Sequence, residues 1–185
     1  MEADWEFEVG GEAPVIDALW PGFVDLRVTP ELARLLPEAC ELLALAAVLE
    51  RLNREFSPVW TAKCDFWPEL SAEDFDPDEL DAPGGEPHAM GCYIDLLPRK
   101  PQQWSPPPMA ATRCKDLCRR LNAVPMSSCR VDLIIRRALT GPASEDIGIT
   151  AYLTACGATV DAARLVLESA LAAFADVFMA NSTLQ

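Results

Sequence analysis

Four aspartates each stand between two apolar residues in segments whose pattern is typical of β-strands. They are Asp25, Asp65, Asp95 and Asp132. Because strand side chains alternate between the two faces of a sheet, this pattern buries an apolar row and places each carboxylate on the opposite face. If the four strands share a sheet, one of its faces is apolar and the other carries acids. A group of carboxylates provides the oxygen ligands that divalent cations prefer.

Basic and aromatic side chains occur at the same alternate positions as these aspartates. The residues predicted to share the polar face and to bind a ligand there are Lys63, Asp65, Trp67, Tyr93, Asp95, Arg130, Asp132, Arg136 and Tyr152. Asp25, Arg27, Thr61, Thr150 and Thr154 belong to the same polar rows. The sequence therefore predicts a site on a sheet face, with two classes of function to consider.

The first hypothesis is a non-enzymatic binding or protein-interaction domain, which uses the polar face as a homodimer or with another protein. The alternative is a metal-dependent enzyme that acts on a phosphorylated or otherwise anionic small molecule. In that case Asp65, Asp95 and Asp132 hold a divalent cation, and Lys63 and Arg130 bind the substrate. A simpler interpretation competes with both hypotheses. The charged residues could form ordinary cross-strand ion pairs on a solvated sheet face, each worth only some tenths of a kcal/mol.

Other motifs for chemistry are weaker. Residues 74–81 place acids at alternate positions, as calcium loops do, but the glycine and final glutamate of an EF-hand are missing. Cys114 and Cys118 are spaced by one helical turn, yet both fall on an apolar stripe, and His88 is the single histidine. No glycine-rich phosphate loop lies between a strand and a helix. We expect the cysteines to be buried free thiols.

The charge balance of the 185 residues restricts the partners. There are 29 acidic and 15 basic residues, which give a net charge of −14. This charge argues against nucleic acid as a ligand and favours encounter with a basic protein. The basic residues concentrate in residues 99–137, where they face either acidic parts of the same fold or an anionic ligand.

Location is predicted from features that the sequence lacks. No run of apolar residues is long enough for a membrane span, and the acidic start does not resemble a signal peptide. Seven cysteines, an odd number, do not suggest a disulfide framework. We therefore expect a cytoplasmic protein that does not contact a membrane.

The elements that position the polar residues follow an α+β order. A short strand carries Trp5 and Phe7 on one side. Alternation predicts strands over 23–28, 59–67, 89–97, 128–139 and 147–156, and helical spacing predicts helices over 38–54, 109–122 and 159–180. From residue 23 to 139 the order strand-helix-strand-strand-helix-strand is ferredoxin-like, extended by one strand and a C-terminal helix. We predict one domain over 1–185, with helices on one face of a mainly antiparallel sheet of five or six strands.

The order helix-strand-strand occurs twice, at about residues 37–98 and 109–156. Both helices end in Arg-Leu-Asn, at 51–53 and 120–122, which hints at an internal duplication. The last helix is polar only along a thin stripe, so it is buried on most sides or lies at a subunit contact. If this helix is buried on most sides, it could cover the polar face.

Overall fold

The strands form one mixed sheet. The computed structural model describes residues 1–8, 15–16, 22–71, 74–76, 78, 80–82, 84, 87–100, 103–140 and 145–180. The strands are β1 (Glu2–Glu8), β2 (Val15–Ile16), β3 (Val59–Trp67), β4 (His88–Pro98), β5 (Cys129–Leu139) and β6 (Glu145–Gly157). Their order is β1-β5-β6-β4-β3, and the two-residue β2 pairs with the end of β5.

The predicted α+β class is confirmed, but the sheet is mixed. β1 and β2 run parallel to β5, whereas β5–β6, β6–β4 and β4–β3 are antiparallel. Residues 23–28 form coil and turn, so the strand expected there is wrong. The ferredoxin-like order began with that strand, and it is unconfirmed.

The helices lie on the apolar face of the sheet. They are a 3₁₀ helix (Pro30–Leu35), α1 (Pro37–Glu41), α2 (Leu43–Asn53), α3 (Pro107–Leu121) and α4 (Val160–Met179). The predicted helix 38–54 is broken at Leu42, whose backbone is extended and whose side chain is fully buried. The Thr159 hydroxyl caps α4 by accepting the Ala162 N–H at 3.1 Å.

One hydrophobic core fills the space between this face and the helices. Ile94, Leu133 and Leu153 of the sheet belong to the same buried cluster as Phe174 and Phe178 of α4. α4 therefore packs on the apolar face and leaves the opposite face uncovered by any of its residues. Within the described ranges, no helix has both the length and the apolar character needed to cross a membrane.

A β-bulge in β3 changes which side chains reach each face. Thr61 pairs with Leu96 and Cys64 with Ile94, so two residues of β3 lie opposite the single Asp95. Trp60 and Ala62 therefore cluster with Leu97 and Ala138, apart from the main core. Thr61 points toward α2, contrary to its predicted place in the polar row. The predicted alternation is correct only after the bulge.

The asparagines that end the two Arg-Leu-Asn segments each hold an outer strand. Asn53 Oδ1 accepts the Thr61 N–H at 3.1 Å, and its Nδ2 donates to Thr61 Oγ1 at 2.7 Å. Asn122 Oδ1 accepts the Ala3 N–H at 2.8 Å, and its Nδ2 donates to the Ala3 carbonyl at 3.1 Å. The helix-strand-strand order is present twice, while the duplication itself stays a prediction.

Candidate functional site: the polar face of the sheet

The strand register aligns five side chains in one row across the sheet. The row runs Asp65, Tyr93, Tyr152, Asp132 and Asp4, on β3, β4, β6, β5 and β1. We call the surface around this row the polar face. It comprises the nine predicted ligand-binding residues together with Glu2, Asp4, Glu6, Glu8, Thr150 and Thr154. The predicted residues are therefore brought onto one face, where Lys63, which lies in the bulge of β3, acts electrostatically on Asp95.

Aromatic rings occupy the centre of the polar face. The ring centroids of Trp67 and Tyr93 are 5.7 Å apart, and those of Trp67 and Tyr152 are 6.4 Å apart with nearly parallel planes. All three side chains are half-buried. Burial, with Asp95 and Asp65 close by, raises the pKa of Tyr93 to about 12. Tyr93 is therefore neutral near pH 7 and keeps its hydroxyl proton.

A chain of hydrogen bonds links four strands beside these rings. The buried Thr150 hydroxyl donates to Asp95 Oδ1 at 2.5 Å and accepts from Arg136 Nη1 at 3.2 Å. Arg136 also donates to the Tyr152 hydroxyl at 3.3 Å and to Glu8 Oε2 at 2.5 Å. Each end of this series of hydrogen bonds is thus a carboxylate, and Arg136 lies between the two carboxylates.

Asp95 is the most buried acid of the polar face, with 5% of its surface exposed. Burial raises its pKa, and the Thr150 hydroxyl, Lys63 and Arg136 offset only part of that effect. For Arg136, burial alone would lower the pKa, but the bonds with Tyr152 and Glu8 leave it raised. Arg136 is therefore a permanent charge in this network.

The β1–β5 side of the polar face is strongly acidic. Arg130 Nε lies 2.9 and 3.0 Å from the two Asp132 oxygens, and Arg130 Nη1 lies 3.3 Å from Glu2 Oε1. A cleft of about 330 Å³ opens next to this group. The carboxylates that line it are Asp4, Glu6, Asp74, Asp76 and Asp132. Arg130 is the cation among its described lining residues.

The register does not support the predicted cation site. Asp65 and Asp132 are three strand spacings apart, about 14 Å, so one cation cannot contact both carboxylates. Asp95 is engaged by Thr150. Among the described residues, no three His, Cys, Asp or Glu side chains form a group able to hold a metal ion. The hypothesis that Asp65, Asp95 and Asp132 share a cation therefore gains no support from the register.

The acids of the predicted calcium-like segment stabilise local turns. Asp74 accepts the Ser71 hydroxyl and N–H at 2.6 and 3.0 Å, and Asp76 accepts the Asp78 N–H at 2.9 Å. Pro77 and Glu79 lie outside the described residues. These bonds give Asp74 and Asp76 a structural role.

Asp25 and Arg27 do not belong to the polar rows. They form a two-point ion pair within a turn, with Nε–Oδ1 and Nη2–Oδ2 distances of 2.8 and 2.9 Å. The hydrogen bond from Arg27 is the largest cause of the lowered pKa of Asp25. The Arg27 guanidinium lies 4.1 Å from the centre of the Trp60 ring.

The thiols of Cys114, Cys118 and Cys64 do not suit a nucleophile or a soft-metal site. Cys114 and Cys118 are both part of the buried core, and burial raises the pKa of each thiol to about 12. Burial likewise raises the pKa of the half-buried Cys64, beside the polar face, to about 12. Since the thiolate is the reactive form, these residues are inert near neutral pH.

Four acids of the polar face were missed in the sequence analysis: Glu2, Asp4, Glu6 and Glu8. All four alternate with apolar residues in β1, and Glu2 and Glu8 pair with arginines of β5, at 3.3 Å to Arg130 and 2.5 Å to Arg136. Their polar side was visible in the sequence. Their place beside β5 had no local signal, because the pairing spans 128 residues.

No protein-family model, curated protein or solved structure matches this chain. Its function must therefore be inferred from the polar face itself.

Proposed function

We propose that the protein is a binding domain that holds an arginine-rich segment of a partner protein against its polar face. The observation that carries this proposal is the cluster of Trp67, Tyr93 and Tyr152 at the centre of an acidic surface. Interfaces characteristically place aromatic side chains at their centre and polar residues at their rim. The proposal concerns binding and requires no reaction.

The charge of the polar face supports a cationic partner. It carries seven carboxylates against three cations: Glu2, Asp4, Glu6, Glu8, Asp65, Asp95 and Asp132 against Lys63, Arg130 and Arg136. Arg130 and Arg136 are already paired with Asp132 and Glu8. The remaining negative charge attracts a basic surface and repels a second copy of the same face. A homodimer through this face is therefore the less favoured form of the proposal.

The aromatic cluster supports arginine in particular. Guanidinium groups bind aromatic faces and carboxylates at the same time, because they are planar and carry five donors. The protein already uses this contact internally, since the Arg136 guanidinium lies 5.7 Å from the Tyr152 ring centre. Asp65 stands next to Tyr93 in the row, so a guanidinium on the rings also reaches a carboxylate.

A titration with a synthetic nona-arginine peptide tests the proposal. We expect Trp67→Ala and Tyr152→Ala to weaken binding by about tenfold or more, as for central interface aromatics. Asp65→Asn should weaken it less, because one carboxylate of several is lost. The control is Asp161→Asn, which removes an exposed acid from the first turn of α4 on the other side of the sheet. Affinity should be unchanged in this control at about 0.15 M salt, where distant charges are screened.

Two results would overturn the proposal. One is an equal loss of affinity in Asp65→Asn and Asp161→Asn with no effect of the aromatic variants, which would indicate diffuse charge attraction. The other is self-association that depends on Trp67 and Tyr152, measured by sedimentation equilibrium, which would assign the face to a homodimer.

The metal-dependent enzyme receives no comparable support. Two of its three proposed cation ligands, Asp65 and Asp132, are too far apart in the register to contact one cation. We also propose a cytoplasmic location, on the ground that the structure assigns all seven cysteines as free thiols, which suits a reducing compartment.

A further inference from the structure

A second cleft lies in the helix layer, away from the polar face. It is lined by residues 55–58 after α2, by residues 99–100 and 103–104 after β4, and by residues of α3 between 109 and 116, and its volume is about 620 Å³. That volume is within the range of small-molecule sites. Its lining includes the cations Arg99, Lys100 and Arg113 and the apolar side chains Phe56, Trp104 and Met109.

The two arginines are held in place by backbone carbonyls. Arg99 Nη2 donates to the carbonyls of Asn53 and Arg54 at 2.8 and 3.0 Å. Arg113 Nη2 donates to the Phe178 carbonyl at 3.4 Å, and its guanidinium lies 5.4 Å from the Phe178 ring centre. Each guanidinium is therefore fixed at the end of a helix through one nitrogen, which leaves further N–H donors.

The carboxylates of the described chain do not neutralise these arginines directly. The ion pairs within 4 Å include no partner for Arg99 or Arg113 in the described part of the chain. Asp116, which also lines the cleft, pairs with Arg119 at 2.5 Å. Arg99 Nε is buried without a hydrogen-bond partner among the described residues. Glu55 also lines the cleft, and Glu55 and Asp116 attract Arg99 and Arg113 electrostatically. Neither acid forms a direct ion pair with these arginines, and three lining cations against two lining acids leave the cleft with a net positive charge.

The mouth of the cleft carries exposed apolar side chains beside its three cations. Phe56 is 84% exposed and Met109 is 53% exposed, while Trp104 is buried in the wall. Exposed apolar side chains next to fixed cations suit a ligand with both an anionic and an apolar part.

We propose that this cleft binds a small anionic ligand in which a phosphate ester or carboxylate is attached to an aromatic or aliphatic body. Arg99, Lys100 and Arg113 bind the anion, and Phe56 and Met109 cover the body. Helix capping explains why the arginines are ordered. It does not explain the adjoining cleft or the exposed phenyl ring. This site is independent of the polar face and of its proposed partner.

Calorimetric titration of the full chain with phenyl phosphate, and separately with inorganic phosphate, tests this site. We expect Arg113→Gln to weaken phenyl phosphate binding by about tenfold, the loss of one charge-assisted hydrogen bond. Lys100→Gln should weaken it by about threefold, as for an exposed charge. Phe56→Ala should weaken phenyl phosphate and leave inorganic phosphate unchanged. The control is Arg137→Gln, the same charge change at an exposed residue of β5, which should alter neither affinity.

Lys100 and Phe56 are exposed, so their variants remain informative even if Arg113→Gln fails to fold. Unchanged phenyl phosphate affinity in both Lys100→Gln and Phe56→Ala would overturn the proposal. So would heats no larger than those of dilution for the unmodified protein at about 10 mM phenyl phosphate, beyond the range of specific sites.

Discussion

Tyr93 and Tyr152 lie directly opposite each other on β4 and β6, with ring centroids 5.8 Å apart. The next residue outward in the row is an aspartate on either side, Asp65 beside Tyr93 and Asp132 beside Tyr152. The polar face therefore has an aromatic centre between two carboxylates. A cationic partner that reaches the rings meets an acid on either side of them, which is the basis of the proposed function.

The first prediction concerns the pH dependence of stability. The pKa of Asp95 is raised in the folded state, mainly by burial. Its contribution to stability is therefore complete below the unfolded pKa and is lost as pH rises through the folded pKa. Asp95→Asn keeps an acceptor for the Thr150 hydroxyl and removes the buried charge. We expect a higher free energy of unfolding than wild type at pH 7 and little difference at about pH 3, where the carboxyl is protonated in both states.

Urea unfolding at the two pH values measures this difference. A variant less stable than wild type at pH 7 would contradict the prediction, since it would mean that the ionised carboxylate stabilises the fold.

The second prediction compares the two helix-terminal asparagines. Asn53 is 1% exposed and satisfies the buried Thr61 N–H, whereas Asn122 is exposed. Asn53→Ala should lower the free energy of unfolding by about 2–3 kcal/mol, because a buried donor loses its partner. Asn122→Ala should lower the free energy of unfolding by about 1 kcal/mol, since water can replace the hydrogen bonds of its side-chain amide. Equal losses of unfolding free energy, measured by urea unfolding, would show that burial does not determine how much these hydrogen bonds contribute to stability.

The third prediction concerns the contact between the end of β6 and the start of α4. A Cβ at Gly157 would lie 2.5 Å from the Ala163 nitrogen, and backbone cannot move aside easily. Gly157→Ala should therefore lower stability by about 1–3 kcal/mol, as overpacking does. Gly84→Ala is the matched control, because no atom of the described residues, its chain neighbours aside, lies within 4 Å of its added Cβ. A thermal midpoint for Gly157→Ala as high as that of the control would be inconsistent with this packing.

The fourth prediction concerns divalent cations. Because Asp65 and Asp132 are too far apart to share a cation, Mg²⁺ or Ca²⁺ at about 1 mM should leave the thermal midpoint unchanged. Asp65→Asn should respond in the same way as wild type. A rise in the midpoint that disappears in Asp65→Asn would reinstate the metal hypothesis.

The composition of the polar face could be predicted from sequence because alternation is local. The apolar and polar positions of β3 after its bulge, and of β4, β5 and β6, follow directly from the period of two. The bulge itself could not be predicted, since it depends on how β3 aligns with β4. For the same reason Thr61 was assigned to the wrong face.

Residues 23–28 show how alternation can mislead. Asp25 between two apolar residues suits a strand, but its side chain accepts the Arg27 N–H at 3.0 Å. This bond spans two residues and forms a turn. The parallel pairing of β1 with β5 was equally hidden, since nothing within seven residues identifies a strand partner more than a hundred residues away.

A map of backbone amide shifts during titration with nona-arginine tests the central claim most directly. We predict that the largest ¹H–¹⁵N shifts occur in residues 63–67, 91–95, 130–136 and 150–154, which carry the polar face. Amides of α3 and α4, on the opposite side of the sheet, should move little. Shifts concentrated on the helix layer, or spread evenly over all acidic segments, would contradict a binding site on the polar face.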